Sequence, residues 1–320
     1  MQFTNPVQRT LKRCRTIAVV LGFGILFCQN GCTTFSGLTN TSPHLSFKND
    51  ARAEARALTR EGNLHCQSGE LQNAVDSQLK AIDKNPFDPW PYERLAQTLF
   101  KRGQLEEAIF YMTWAVERSD DDPRLIVELG NLYFDKGNKL TAADKAKQAL
   151  EREHRCGPAL LLLGRIALVD KDRTDEALRL FQRAAACTPP PPGIQLKIAE
   201  AYQLKGDWRL ANNTIDSILL EFPVDNYPEN LVILKAEGLI EMNQPLAAEN
   251  FLLERQTSDN FTPSMVLLLA KAQKKKESFG DARNTLAAGA KTFPSYRDYF
   301  LEIRSEIQIP AVTEQMAQKK

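Results

Sequence analysis

Residues 89–122 read PWPYERLAQTLFKRGQLEEAIFYMTWAVERSDDD, and residues 123–156 read PRLIVELGNLYFDKGNKLTAADKAKQALEREHRC. Laid over each other, the two stretches agree in their small residues and their breaks. Ala96 falls on Gly130, Gly103 on Gly137, Ala108 on Ala142 and Ala115 on Ala149, every pair separated by the same step. That step runs outward in both directions. Gly62, Ala96, Gly130 and Gly164 form one column, Gly69, Gly103 and Gly137 a second, Ala74, Ala108 and Ala142 a third, and Ala81, Ala115 and Ala149 a fourth. A fixed period in several independent columns marks a repeat architecture, in which each period is one supersecondary unit.

Every column has a packing reason. Gly62, Gly130 and Gly164 suit a crossing of two helices, where a small side chain lets the backbones approach. Ala74, Ala108, Ala142 and Ala211 serve the opposite face of that crossing, while Leu95, Leu129, Leu163 and Ile198 fill the space between units. Glycine at 69, 103, 137 and 206 ends a first helix in the left-handed conformation. Pro86, Pro189, Pro223 and Pro294 follow second helices, and Pro123, Pro158 and Pro263 suit a helix first turn. The spacing predicts units at 55–88, 89–122, 123–156, 157–191 (one extra residue near Arg173), 192–225, about 231–262 and 263–296. Residues 226–230 read as an insertion and the sixth unit as short and degenerate. A capping helix follows, its polar face carrying Arg297, Asp298, Glu302, Arg304 and Glu306, and then a disordered tail to residue 320.

The pattern resembles the tetratricopeptide repeat over about 55–296. The resemblance implies an all-α, right-handed superhelical solenoid of about seven helix-turn-helix units. It also implies that first helices line a concave groove for a peptide or partner protein. The family's groove positions fall on Arg56, Asn63, Trp90, Gln97, Phe100, Lys101, Arg124, Asn131, Phe134, Leu161 and Arg165. Aromatic groups there offer apolar contact, and Asn and Arg can bond a peptide backbone or carboxylates. Phe100 and Phe134 read equally well as partial members of the inter-unit core. The two-carboxylate clamp of chaperone-tail adaptors is not reproduced. Its places hold Thr59 and Asn63, then Arg94, then Arg124 and Glu128, and Glu128 would repel the carboxylate.

Residues 1–32 differ from the rest. Arg9, Lys12, Arg13 and Arg15 precede an apolar run, Thr16–Cys28, which is shorter than the roughly 20 residues that a membrane-spanning helix needs. This is the layout of an export signal. Gly31-Cys32 resembles the end of a bacterial lipoprotein box, which would make Cys32 a lipid-bearing N-terminus. Gln29 and Asn30 depart from the box, so cleavage by the ordinary peptidase and an uncleaved short anchor stay open. With Thr33 after the cysteine, the resemblance implies an outer-membrane or periplasmic location. Residues 33–54 read as a flexible tether, being rich in Ser, Thr and Asn at their start.

Composition narrows function further. Lys plus Arg number 41 against 40 Asp plus Glu, so nothing predicts a nucleic-acid partner. His44, His65 and His154 share no motif, and neither a phosphate-binding loop nor a nucleophile motif occurs. No enzyme, cofactor, metal or small-molecule substrate is expected. Cys156 and Cys187 fall at one end of the fourth hairpin and are a candidate disulfide in an oxidising compartment; two free thiols are the alternative. The functional expectation is a scaffold of the bacterial cell envelope that docks another envelope protein or peptide. Lipoproteins of this layout serve in pilus biogenesis, polysaccharide export or envelope assembly. The other reading is an accessory subunit of a cell-wall synthase or hydrolase.

Overall fold

The computed structural model describes residues 43–223, 227–255 and 261–308. Cys32 and the export signal lie outside them, as do the start of the tether and the C-terminal tail. The chain divides into two units, Met1–Phe47 and Lys48–Lys320, and the architecture below is that of the second.

The described residues form fifteen α-helices. They pair as α1 (Pro43–Gln67) with α2 (Leu71–Lys84), α3 (Pro89–Lys101) with α4 (Leu105–Arg118), and α5 (Pro123–Asp135) with α6 (Lys139–Arg152). Next come α7 (Gly157–Leu168) with α8 (Thr174–Ala185), and α9 (Ile194–Lys205) with α10 (Trp208–Leu219). The last pairs are α11 (Glu229–Glu241) with α12 (Pro245–Leu253), and α13 (Pro263–Lys275) with α14 (Phe279–Thr292). A closing helix, α15 (Arg297–Glu306), packs on α14. From α2 onward each helix packs against its successor, and α1 meets α2 where Gly62 faces Ala74, the pattern of a right-handed superhelical solenoid. Among the described residues no helix is long and apolar enough to cross a membrane.

The columns do what their residue types predict. A Cβ on Gly62 would come within 3.1 Å of the Ala74 carbonyl, and one on Gly164 within 2.3 Å of the Phe181 ring. Ala74, Ala108, Ala142, Ala177 and Ala211 are all fully buried. The turn between the two helices of a unit has φ of +83° at Gly69, +78° at Gly103, +85° at Gly137 and +83° at Gly206. In the sixth and seventh units the same turn is held by Asn243 at +58° and Glu277 at +64°. In the fourth the extra residue is taken up by a 3-10 turn, Lys171–Arg173. Asp88 and Asp122, one period apart, cap α3 and α5 alike: each carboxylate accepts from the backbone N–H two residues on. Phe300 of α15 is fully buried against α14 and α13, closing the last apolar face, while Arg297, Asp298, Glu302 and Glu306 face water.

One expectation needs correcting, and one boundary moves. Helix α1 starts at Pro43, so residues 43–54 are helical rather than a flexible tether. The stretch Ala51–Arg56 is built from strong helix formers, Ala, Arg and Glu, and propensity extends the helix past the point where packing begins. The sixth unit keeps the period, and its second helix α12, of 9 residues, is the shortest second helix among the described residues. Ala236 and Ala248, both fully buried, stand one full period before Ala270 and Ala282. Its first helix opens at Glu229, two residues before the expected start of the unit.

Candidate functional site

The face shared by the first helices is the candidate site. Where neighbouring first helices meet, side chains one period apart touch. Arg165 donates to Asn131 Oδ1 at 2.7 Å, lies 4.7 Å from the Phe134 ring centre and 3.8 Å from Asp135. Gln97 donates to Glu128 at 3.0 Å and accepts from Arg94 at 3.0 Å. Lys101 Nζ is 3.4 Å from Cys66 Sγ. Toward the other end Lys271 pairs with Glu241 at 3.1 Å, and Gln203 donates to the Leu234 carbonyl at 2.9 Å.

The structure therefore brings together Asn131, Phe134 and Arg165, and separately ties Gln97 to Glu128 and Lys101 to Cys66. Phe134 is half-buried against the core, whereas Phe100 is 43% exposed. Arg56 is exposed, and Asn63, Trp90 and Leu161 are half-buried. Trp90 and Arg124 sit in the first turns of α3 and α5, where their backbone N–H groups meet Asp88 and Asp122. The Arg124 side chain is two-thirds exposed and 3.4 Å from Asp122. Among the described residues, Arg56, Asn63, Trp90 and Arg124 form no hydrogen bond with the other groove candidates.

Electrostatics agree with the absence of a carboxylate clamp. Burial pushes the Glu128 carboxyl above its ordinary range, the hydrogen bond from Gln97 opposes that, and the neighbouring Glu93 charge reinforces it. Glu93 is itself buried. An incoming carboxylate would meet two acids here.

Further candidate positions on this face follow from the same period. One step past Phe134 and Asp135 stand Leu168 and Val169, and beyond them Leu204. Leu196 takes the place of Leu161 in the next unit. Leu168 and Leu196 are half-buried, and Val169 and Leu204 are each 50% exposed. The candidate face is thus mixed across the first three units, where Gln97 and Lys101 are paired and Phe100 is exposed; it gains Leu168, Val169, Leu196 and Leu204 in the fourth and fifth and carries Lys271, Lys274 and Lys275 in the seventh. Carrying the register past unit three finds the middle segment.

The candidate disulfide is not formed. Cys156 and Cys187 are buried free thiols, and Cys187 Sγ is 3.4 Å from the Arg183 carbonyl. Burial raises the Cys156 thiol above its ordinary value, which keeps it protonated and slow to react.

Comparisons with known proteins agree with this geometry. Tetratricopeptide-repeat family models match residues 78–110 and 127–192. Mouse DnaJ homolog subfamily C member 7 is 26% identical over 190 residues, 56% of this chain and 38% of the relative. The chain thus spans well under half the length of that protein. Among solved structures, a tetratricopeptide repeat protein from Parabacteroides merdae superposes with a TM-score of 0.55 at 16% identity, covering 79% of this chain and 99% of the other. The Cut9-Hcn1 hetero-tetramer of APC/C gives 0.58 at 17%, covering 73% and 46%. Pseudomonas aeruginosa pilF gives 0.53 at 15%, covering 65% and 91%. At these identities the structures show a shared fold. Seven helix pairs, their columns of small residues and these matches make the chain a tetratricopeptide-repeat protein, a scaffold for protein–protein interaction.

Proposed function

We propose that this scaffold is exported, is held at a membrane by lipid on Cys32, and docks another protein or peptide of the bacterial cell envelope in its groove. The observation that supports docking in the groove is the apolar middle segment. Val169 and Leu204, at corresponding places in the fourth and fifth units, are each half exposed, and apolar groups left open on a binding face offer contact area to a partner. A partner segment with apolar side chains fits there, flanked by the arginines of the first units and the lysines of the seventh. Pilus biogenesis, polysaccharide export and envelope assembly are settings in which such a tethered scaffold works.

The test pairs affinity with stability. Trp90→Ala, Arg124→Ala and Val169→Asp should each weaken a partner isolated by crosslinking in membranes, by roughly 1–3 kcal/mol where the residue is a hot spot. The thermal midpoint should hold for Arg124→Ala and Val169→Asp, whose side chains are exposed. Unchanged affinity in all three puts the site elsewhere. Cys32→Ser should stop lipid labelling and membrane retention, and persistence of both removes the anchor from the proposal.

A further inference from the structure

The sixth unit breaks two columns at once, and the breaks meet in a cavity. Position for position, Lys235 stands one period before Leu269 and takes the place that Leu95, Leu129, Leu163 and Ile198 hold in earlier units. Arg255 stands one period before Gly289, in the column of Ala81, Ala115, Ala149 and Ala184, all fully buried. A large apolar residue and a small one have both become cations. Their side chains converge on the Phe251 ring, with Lys235 Nζ 4.7 Å and the Arg255 guanidinium carbon 3.8 Å from its centre. Arg255 also lies 4.8 Å from the Tyr227 ring centre. Between α10, α11 and the end of α12 these groups line a cavity of about 370 Å³, to which Leu219 contributes from the buried side and the exposed Leu220 at the rim. That volume is in the range of small-molecule sites.

Arg255 also donates to the Phe251 carbonyl of its own helix, so its position is held locally, but stacking of the units does not require a cation at either place. Taking a cation out of water costs free energy that its contacts must offset. The same columns elsewhere in this chain show which apolar residues would fit. Burial pulls the Arg255 guanidinium below its ordinary range, so its charge is held at a cost. Departures from a local rule that stability does not need concentrate at functional sites.

The burial of the charges is unequal. The side chains of Lys235 and Arg255 are 20% and 9% exposed, whereas those of their acidic neighbours Asp216 and Glu254 are 52% and 70% exposed. The cations are fixed in the wall, and the acids stand at the mouth, free to turn outward. Asp216 pairs with Lys235, and Glu254 is 3.6 Å from Arg255.

We propose that this cavity binds a small organic carboxylate, with Lys235 and Arg255 holding the anion and Phe251, Tyr227, Leu219 and Leu220 receiving its apolar part. The incoming carboxylate displaces Asp216 from Lys235. The site is separate from the groove and does not depend on the groove's role.

The experiment is isothermal titration of the purified full chain with 3-phenylpropionate, and with 3-phenylpropionamide as its uncharged counterpart. The acid should bind more than about tenfold tighter than the amide, because the amide brings no charge to the two cations in the wall. Lys235→Met should lose about tenfold or more in acid binding while keeping helical circular dichroism, since methionine returns an apolar chain to the column. Asp216→Asn should bind the acid more tightly than the native chain, because the competing carboxylate is gone. Lys274→Met, at the basic end of the seventh unit, should bind as the native chain does. Acid and amide binding alike in both the native and Asp216→Asn chains would overturn the proposal. So would undiminished acid binding in Lys235→Met, or a weaker acid affinity in Asp216→Asn. If Lys235→Met fails to melt cooperatively, the exposed Asp216 variant decides.

Discussion

Gly164→Ala tests the helix crossing most sharply. The added Cβ would sit 2.3 Å from Phe181 Cε1 and 2.5 Å from Cδ1, and Phe181 is fully buried in the fourth unit. An aromatic ring enclosed on all sides cannot turn away, so α7 and α8 must separate. Overpacking of a core costs about 1–3 kcal/mol. Alanine returns about 1 kcal/mol of helix propensity. A contact this short belongs at the upper end of the range, so the net loss is about 2 kcal/mol. Gly280→Ala is the matched control. It is also helical, in α14, but nothing lies within 4 Å of its would-be Cβ, so it should gain up to about 1 kcal/mol. The assay is urea unfolding followed by helical circular dichroism, with the midpoint and slope compared among variants. Because neighbouring units share interfaces, a weakened fourth unit should also lower the slope by splitting the transition. Phe181→Leu in the Gly164→Ala background should cost less than the sum of the two single changes. If Gly164→Ala and Gly280→Ala shift the midpoint alike, or if the double change is additive, the crossing is not where the columns put it.

Two further outcomes follow from local geometry. Glu277 holds the turn of the seventh unit at φ +64°, a conformation that costs a residue with a Cβ about 1–2 kcal/mol. Glu277→Gly should therefore raise stability by about 1 kcal/mol, read as a higher urea midpoint; a fall would mean that the glutamate side chain is needed there. Glu128 binds its proton more tightly in the native chain than in the unfolded one, because burial raises its carboxyl above the ordinary 4.5. Its favourable contribution is thus present below 4.5 and lost as pH rises through the raised native value. Glu128→Gln should match the native chain in acid and become the more stable of the two above that value. A stability difference that is flat with pH would remove Glu128 from the buried edge of the groove.

The repeat is legible in the sequence because its cause is local and recurs. Gly130 and Ala142 are small for the same reason as Gly62 and Ala74, and one period exposes the next. The sixth unit reads as degenerate because Lys235 and Arg255 replace two marker residues, leaving Ala236 and Ala248 as the surviving signals. The start of α1 is hidden because Pro43 and Ser46 read as loop while the helix formers after them decide the conformation. The groove is legible as positions but not as pairings. Sequence spacing puts Arg165 one period from Asn131, but only side-chain geometry shows that these two satisfy each other and that Val169 and Leu204 are left open. Cys156 and Cys187 do fall at one end of a hairpin, as their spacing implies. Proximity does not make a bridge, and both thiols are buried and free.

The central claim, that the groove carries the partner, is tested most directly by placing a photo-crosslinking amino acid at single positions in the intact cell. Phe100, Leu168 and Val169 sample the groove in the second and fourth units, and Phe110 and Leu140, which are 43% and 82% exposed, sample second helices α4 and α6. One crosslinked species of the same mass and identity is expected from the groove positions, and none of that species from Phe110 or Leu140. Crosslinks to that species from Phe110 and Leu140 alone would contradict it and place the interaction on the second helices.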